Sequence, residues 1–232
     1  MMGETDYSRG RFGPAQDERM SDIEESVEIV GAPWKESTYY DDAERWTSMF
    51  WEDGTPFREL FDKLDLSEVL ELACGHGRHS IRAANRCERL ILMDIFRENV
   101  DRCRRRLRFF SNVEGYINNG YDFRPVADGS VSAIFCYDSM VHFSPDLVSS
   151  YLQDAARVLM PGGRALFHHS NYPKAAETHS GANPYARNRM TVALYREFIA
   201  AAGLEATETI VIPWGDLPDL DCLSLVTKPG GA

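Results

Sequence analysis

The feature of this sequence that most constrains its fold is a regular alternation of short apolar segments with segments of helical spacing. Strands are predicted at 67–73, 89–94, 113–118, 131–137 and 163–168, and helices at 78–86, 97–109, 145–159 and 191–202. Strands that are apolar throughout and alternate with helices are typical of a parallel sheet covered on both faces. Two last strands, 208–212 and 220–226, have no helix between them. We therefore expect an α/β fold with a mostly parallel seven-stranded sheet, a terminal antiparallel hairpin and helices on both faces.

The first 64 residues differ in character from the rest of the chain. Residues 1–30 carry three Arg against eight Asp and Glu, which predicts an acidic, largely mobile extension. Residues 31–64 are rich in aromatic side chains and have helical spacing at 41–51 and 56–64. These helices either pack on the core or form a lid over a pocket, and we expect the lid. The remaining residues, 65–232, are expected to form the ligand-binding domain.

Charge and cysteine content narrow the classes of partner. The formal net charge is −11, which disfavours binding to nucleic acid or to anionic lipid. No apolar run approaches the roughly 20 residues of a membrane helix, and the N-terminus does not resemble a secretory signal. The five cysteines form no CxxC pair, which favours a reducing compartment. We expect a cytoplasmic protein with a small-molecule partner; the sequence does not predict its oligomeric state.

A glycine turn follows the first predicted strand. Residues 71–79 read ELACGHGRH, so Gly75 and Gly77 lie between a strand and a helix, where backbone N–H groups can approach a ligand. About twenty residues later the second strand ends at Asp94, where a carboxylate can accept hydrogen bonds from ribose hydroxyls. The third glycine of the dinucleotide fingerprint is missing, which disfavours a nicotinamide-dependent dehydrogenase. The pattern predicts a nucleoside-containing ligand.

Four segments in order resemble the motifs of the class I S-adenosylmethionine-dependent methyltransferases. They are ELACGHGRHS, the MD at 93–94, NNGYDFRPVADGSVSAIFCYDSMVHF and RVLMPGGRALFHHSNYP, and the resemblance covers roughly residues 65–227. It implies a Rossmann-like fold and S-adenosylmethionine as cofactor. CGHGRH, MVHF and FHHSN further resemble a bacterial subgroup linked to sugar or polysaccharide O-methylation.

The resemblance also implies roles for individual residues. The methionine and ribose parts of the cofactor would lie against Glu71, Ala73, Gly75 and Gly77, the ribose hydroxyls against Asp94, and the adenine against Ile95, Asp122 and Phe123. Tyr137 and Asp138, at the end of the fourth strand, would face the methionine part and the acceptor.

Three histidines at strand ends are candidates for removing a proton from the acceptor: His142, His168 and His169. Neighbouring strand residues point to opposite faces, so only one of His168 and His169 is expected at the pocket. We predict His169 and His142 as rival bases, with Asp138 as a catalytic partner. The predicted acceptor-binding residues are Trp46, His168, Asn171 and Tyr172, the last two opening a loop at 171–188 that is rich in hydrogen-bonding groups.

Asp138 and these histidines could also converge on a divalent metal, but no ligand spacing within one helix supports it, and no metal ligand is predicted. The sequence therefore predicts an S-adenosylmethionine-dependent O-methyltransferase that acts on a small hydroxylated or glycan-like acceptor. The alternatives are an N- or carboxyl-methyltransferase of a small metabolite, and a non-catalytic nucleotide-binding module.

Overall fold

The computed structural model describes residues 14–174 and 182–231, with side chains from residue 22 onward. In this part of the chain seven strands form one sheet in the order β3-β2-β1-β4-β5-β7-β6. The strands are β1 (Glu68–Leu72), β2 (Arg89–Asp94), β3 (Val113–Ile117), β4 (Val131–Cys136), β5 (Leu159–Ser170), β6 (Glu205–Trp214) and β7 (Leu217–Thr227). The first five are parallel, and β7 pairs antiparallel with both β5 and β6. The predicted mixed sheet with a terminal hairpin is confirmed.

Helices cover both faces of the sheet. They are α1 (Pro14–Gly31), α2 (Tyr39–Asp42), α3 (Thr47–Phe50), α4 (Pro56–Phe61), α5 (Ser80–Ala84), α6 (Arg97–Arg106), α7 (Pro145–Val158) and α8 (Val192–Ala201). One apolar core lies between the sheet and α7 and α8, and a second lies between the sheet and α4, α5 and α6. The central strand β4 is buried at every residue, as expected for a strand with a core on each side.

The N-terminal part differs from its prediction. Residues 14–31 form α1, where the sequence predicts a mobile extension. The acidic residues of its last turns are exposed, but Ile23, Val27 and Val30 recur at helical spacing and turn inward. Average polarity hides this narrow apolar stripe, which is enough to hold the helix against the domain. The predicted mobility of residues 1–13 concerns positions outside the described part of the chain.

The predicted helix at 41–51 is three short helical segments, α2, a 3₁₀ turn at Ala43–Trp46, and α3. Among the described residues, no helix is both long and apolar enough to span a membrane.

Candidate active site

A cleft opens where β1, β2 and β4 end, at the carboxyl edge of the parallel sheet. It contains about 930 Å³ of empty space, including the part open to solvent. The strand ends supply its floor, because the carboxyl ends of parallel strands meet at one edge. Residues of α1, the 3₁₀ turn at Ala32–Trp34 and α2 form its roof, including Val27, Trp34, Tyr39 and Tyr40. The cleft is therefore enclosed by the N-terminal segments.

The glycine turn forms one wall of the cleft. Ala73 and Gly75 line it, at φ +56° and +53°, which is the left-handed region that glycine adopts most easily. A Cβ atom on Gly75 would lie 2.9 Å from the ring of Tyr40, so only glycine leaves room for that ring. Tyr40 in turn packs on the His76 ring, with centroids 4.6 Å apart. The turn and α2 are thus packed directly against each other.

Asp94 is the last residue of β2, and its side chain hydrogen-bonds to the glycine turn. Its Oδ2 accepts a hydrogen bond from the Gly75 N–H at 2.9 Å, and its Oδ1 accepts from the Phe96 N–H at 2.9 Å and from Asn99 Nδ2 at 3.0 Å. A carboxylate offers about four acceptor positions, so one remains on Oδ2. Burial raises the pKa of Asp94 above its ordinary value. The predicted position of Asp94 in the site agrees with this geometry.

Next to the end of β3, the residues that line the cleft differ from those predicted to contact the adenine. Asp122 and Phe123 do not line it: the Asp122 carboxylate pairs with Arg124, and Phe123 is fully buried against Tyr151. The lining residues there are Asn118 and Gly120, with Ile95 as predicted. Gly120 approaches Val27 so closely that a Cβ atom would lie 2.4 Å from that side chain. The chain therefore lines the cleft three to four residues before the predicted positions.

Two other residues predicted at the cofactor do not line the cleft. Glu71 points into the core on the α5 side, and burial raises its pKa to about 8, so it is mostly protonated at neutral pH. Gly77 lies behind the turn, where a Cβ atom would meet the Cys103 sulfur at 2.9 Å. Both positions support the turn from inside the core instead of facing a ligand.

Asp138 lines the cleft directly after β4. Its φ is +58°, a conformation that a non-glycine residue adopts only when its surroundings enforce it. Its Oδ2 accepts hydrogen bonds from the Tyr39 hydroxyl and from Arg78 Nη2. Its Oδ1 is buried and has no partner among the described residues. Tyr137 beside it also lines the cleft, as predicted.

His142 also lines the cleft, as predicted. Its Nδ1 donates to the Ala186 carbonyl at 2.9 Å, and its ring packs against the Trp34 indole with centroids 4.3 Å apart. Burial lowers the pKa of His142 to about 4. The ring is therefore neutral at pH 7, and the bond at Nδ1 leaves the Nε2 lone pair free to accept a proton.

The prediction of His169 as a rival base is wrong. His169 and His168 point to opposite faces of the sheet, as expected, but neither lines the cleft. The His169 ring is fully buried, stacks on Tyr195 with centroids 3.7 Å apart, and hydrogen-bonds through both nitrogens, to the Ser170 carbonyl and the Ser224 hydroxyl. His168 is equally buried and is not in contact with the cleft, so it does not bind the acceptor as predicted.

The other predicted acceptor residues also lie elsewhere. Trp46 is exposed and packs under the Arg45 guanidinium. Asn171 donates to the Asp219 carbonyl at 3.0 Å, and Tyr172 bridges to Arg189; neither lines the cleft. Residues 175–181 of the predicted acceptor loop lie outside the described part of the chain.

The sequence analysis did not assign several residues that line the cleft, among them Trp34, Tyr39, Tyr40, His79 and Asn118. Asn118 ends a strand at the carboxyl edge, a position that could have identified it. The aromatic residues were recognised only as a group. His79 accepts a hydrogen bond from Trp51 Nε1 at 3.0 Å, which leaves its proton on Nε2, and that buried nitrogen has no partner among the described residues.

No group of three or more His, Cys, Asp or Glu side chains comes together as a metal site in the described residues.

Comparison with known proteins agrees with this arrangement. A family model described as a methyltransferase domain matches residues 69–163. A geranyl diphosphate C-methyltransferase from Streptomyces coelicolor A3(2), solved with Mg²⁺, geranyl diphosphate and S-adenosyl-L-homocysteine, superposes with a TM-score of 0.61 at 17% identity, covering 74% of this chain and 76% of that one.

A geranyl diphosphate methyltransferase in complex with S-adenosylmethionine gives the same TM-score and identity, covering 74% of this chain and 83% of that one. The [4+2]-cyclase SpnF gives a TM-score of 0.60 at 16% identity, covering 84% and 85%. A search of the curated proteins gives no match. At these identities the structures share a fold with this chain, and a cyclase among them shows that the fold alone does not determine the reaction.

Proposed function

We propose that this chain, an S-adenosylmethionine-dependent methyltransferase with its methyltransferase domain at residues 69–163, methylates a hydroxyl group of a small, glycan-like acceptor. The domain match supports the enzyme class, and the fold is compatible with it. The O-methylation and the sugar-like acceptor are the proposal, and they rest on the part of the cleft lined by Asp138 and His142, its acceptor end.

The residues present suit the cofactor. The free acceptor position on Asp94 can take a ribose hydroxyl, Asn118 and Ile95 can contact the adenine, and the glycine turn allows close approach of the backbone. The methionine part would then point toward Tyr137 and Asp138. When bound, the cofactor supplies a methyl group on a positively charged sulfur, which is already activated for transfer. The protein must orient the acceptor, exclude water and remove one proton.

The observation that carries the proposal is the state of His142. Its Nδ1–H donates to the Ala186 carbonyl, which leaves the Nε2 lone pair to accept a proton, and it lines the cleft. An alcohol does not lose its proton unaided before it attacks, so an imidazole nitrogen that can accept a proton at this place supports O-methylation. The roof residue Trp34 lies beside it, and its flat ring can pack against the apolar face of a sugar ring.

One observation favours a second acceptor class. The unpartnered Oδ1 of Asp138 is a buried carboxylate oxygen that could accept a hydrogen bond from an ammonium group. N-methylation of a small amine is therefore the alternative. Because the described cysteines are free and buried and the chain is acidic, we also propose a reducing, cytoplasmic setting without nucleic-acid partners.

The test is a methyl-transfer screen with labelled S-adenosylmethionine over sugars, phenols and amines, with and without EDTA. With the acceptor that turns over, His142→Gln should lower kcat by about 10²–10⁴-fold, the usual contribution of a general base, and leave cofactor affinity unchanged. His169→Gln is the matched control, because it removes an equally buried histidine outside the cleft and should keep kcat. Turnover of amines alone, or equal kcat in both variants, would reject O-methylation with His142 as base.

A further inference from the structure

A fully buried chain of hydrogen bonds runs from the segment after β5 to the acceptor end of the cleft. Arg187 donates to both oxygens of Asp221, from Nε to Oδ1 at 2.9 Å and from Nη2 to Oδ2 at 2.5 Å. The Oδ2 of Asp221 lies 3.0 Å from His168 Nε2, and His168 Nδ1 lies 3.0 Å from the backbone nitrogen of Asp138. Arg187 is 2% exposed, and Asp221 and His168 are 0% exposed.

The direction of each bond fixes the protonation states. The Asp138 N–H can only donate, so His168 Nδ1 accepts, and the ring proton is on Nε2, which donates to Asp221. Burial alone would raise the pKa of Asp221, but the bonds from His168 and Arg187 outweigh it and lower that pKa to about 2. Arg187 therefore balances the charge of the buried Asp221 carboxylate.

The same segment also holds the candidate base. Tyr185 and Ala186 are consecutive non-glycine residues at φ +50° and +55°, which is strained backbone that the surroundings must enforce. This bend presents the Ala186 carbonyl to His142 Nδ1, and Asn188 donates to the His142 carbonyl. One short segment therefore touches His142 directly and Asp138 through two buried side chains.

We propose that Arg187 is a positioning residue of the active site: through Asp221 and His168 it fixes the left-handed backbone of Asp138, and thereby holds the Asp138 carboxylate where Tyr39 and Arg78 bind it. This inference rests on the proposed function, because the position of the Asp138 carboxylate matters for catalysis only if the cleft is the active site. The roof is joined to the floor at this carboxylate, since Tyr39 comes from α2 and Arg78 from the glycine turn.

A buried ion pair can also be purely structural, and replacing one is often tolerated. The positioning role makes two demands that a structural role does not. Loss of Arg187 must change the hydrogen bond between His168 and the Asp138 N–H, and it must have no additional effect once Tyr39 has lost its hydroxyl, because both act through Asp138.

The experiment compares Arg187→Met with Arg187→Lys, Tyr39→Phe and the double variant of Arg187→Met with Tyr39→Phe. Arg189→Met is the matched control, because Arg189 is exposed two residues away. Ring-nitrogen NMR at pH 7.5 reports the state of His168, and calorimetry reports the affinity for S-adenosylhomocysteine.

In wild type and in Arg189→Met, His168 should carry its proton on Nε2 alone. In Arg187→Met the His168 ring-nitrogen signals should shift, because Asp221 loses its fixed position and the bond from the Asp138 N–H to His168 Nδ1 loosens; the affinity should fall about three- to tenfold, with no further loss in the double variant. Arg187→Lys keeps the positive charge and should keep the wild-type His168 signals. If Arg187→Met does not fold, Arg187→Lys carries the test: a lysine makes one contact with Asp221 where arginine makes two, so a smaller loss of affinity for S-adenosylhomocysteine is expected.

An unchanged His168 signal, an unchanged affinity, or fully additive losses would overturn the positioning role. Wild-type protein that fails to bind S-adenosylhomocysteine would instead overturn the proposed function, and the NMR result would still stand on its own.

Discussion

Glu71 is a residue of β1, and its side chain is buried on the α5 side of the sheet. One of its carboxylate oxygens has no partner among the described residues. An unfolded chain releases this proton near pH 4.5, whereas the folded protein keeps it to about pH 8 because burial disfavours the charge. The folded state therefore binds more protons between these values, and its stability falls as pH rises from about 4.5 through 8.

We predict that Glu71→Gln removes this loss. The free energy of unfolding is measured by urea titration at pH 5 and at pH 9. Between these two pH values it should decrease in wild type by roughly 3–6 kcal/mol more than in Glu71→Gln. Glu52→Gln, at an exposed position, should behave as wild type. Cofactor affinity should not change at pH 7, since Glu71 does not line the cleft. A pH profile of stability that Glu71→Gln leaves unaltered would contradict the neutral state assigned to this carboxyl.

At the level of single residues, the sequence located the strand-end groups that directly follow β1, β2 and β4. Ala73, Gly75, Asp94 and Asp138 all line the cleft, because the position of a strand end follows from its apolar run. His168 and His169 could not be assigned in this way. Which of two neighbouring strand residues faces a cleft depends on the layer that covers the sheet there, and β7 and α8 fill that space with Asp221 and Tyr195.

Among the elements, α6 and the N-terminal segments are joined by charge. Arg106 on α6 binds both carboxylate oxygens of Glu44, and Arg102 pairs with Asp41 at 2.7 Å. Arg106 also donates to the His76 carbonyl in the glycine turn at 3.1 Å. Two arginines of this helix therefore hold α2 and the 3₁₀ turn that follows it.

We predict that Glu44→Lys loosens the roof of the cleft. The pair is about one-third exposed, so its contribution is modest, and reversing one charge should weaken S-adenosylhomocysteine binding about three- to tenfold, roughly 1 kcal/mol. Glu52→Lys makes the same charge change in the same segment without such a partner and should bind as wild type. The difference between the two should shrink at high salt. Equal affinities in calorimetry would show that the contact does not hold the cleft closed.

The roof itself was predicted only in outline. Aromatic density at 31–64 indicates a lid, but it does not tell Tyr39 and Tyr40, which enter the cleft, from Trp46, which stays exposed. That choice follows from three short helical segments whose bends depend on contacts with α6 and the turn. The part of α1 that closes the cleft next to the end of β3 was missed because its stripe of three apolar residues is too narrow to outweigh its acidic neighbours.

For the whole molecule, the fold followed from the sequence almost completely. Strands that are buried on both faces must be apolar along their length, so each one is visible in the sequence as a short uninterrupted apolar segment. The order of the strands, in contrast, was not predicted and is known from the structure. The acceptor is a different matter, because it is read by a few side chains from distant parts of the chain, and the same fold serves other reactions.

The central claim is that the cleft binds S-adenosylmethionine through the glycine turn and Asp94. The most direct measurement is calorimetric titration of the full chain with S-adenosylmethionine, S-adenosylhomocysteine and NAD, repeated with Asp94→Asn. We predict that the first two ligands bind and NAD does not, and that Asp94→Asn weakens binding by about 1.5–3 kcal/mol, the usual scale for hydrogen bonds to a charged group. Binding of NAD, absence of binding by both sulfur ligands, or full affinity in a folded Asp94→Asn variant would contradict the account.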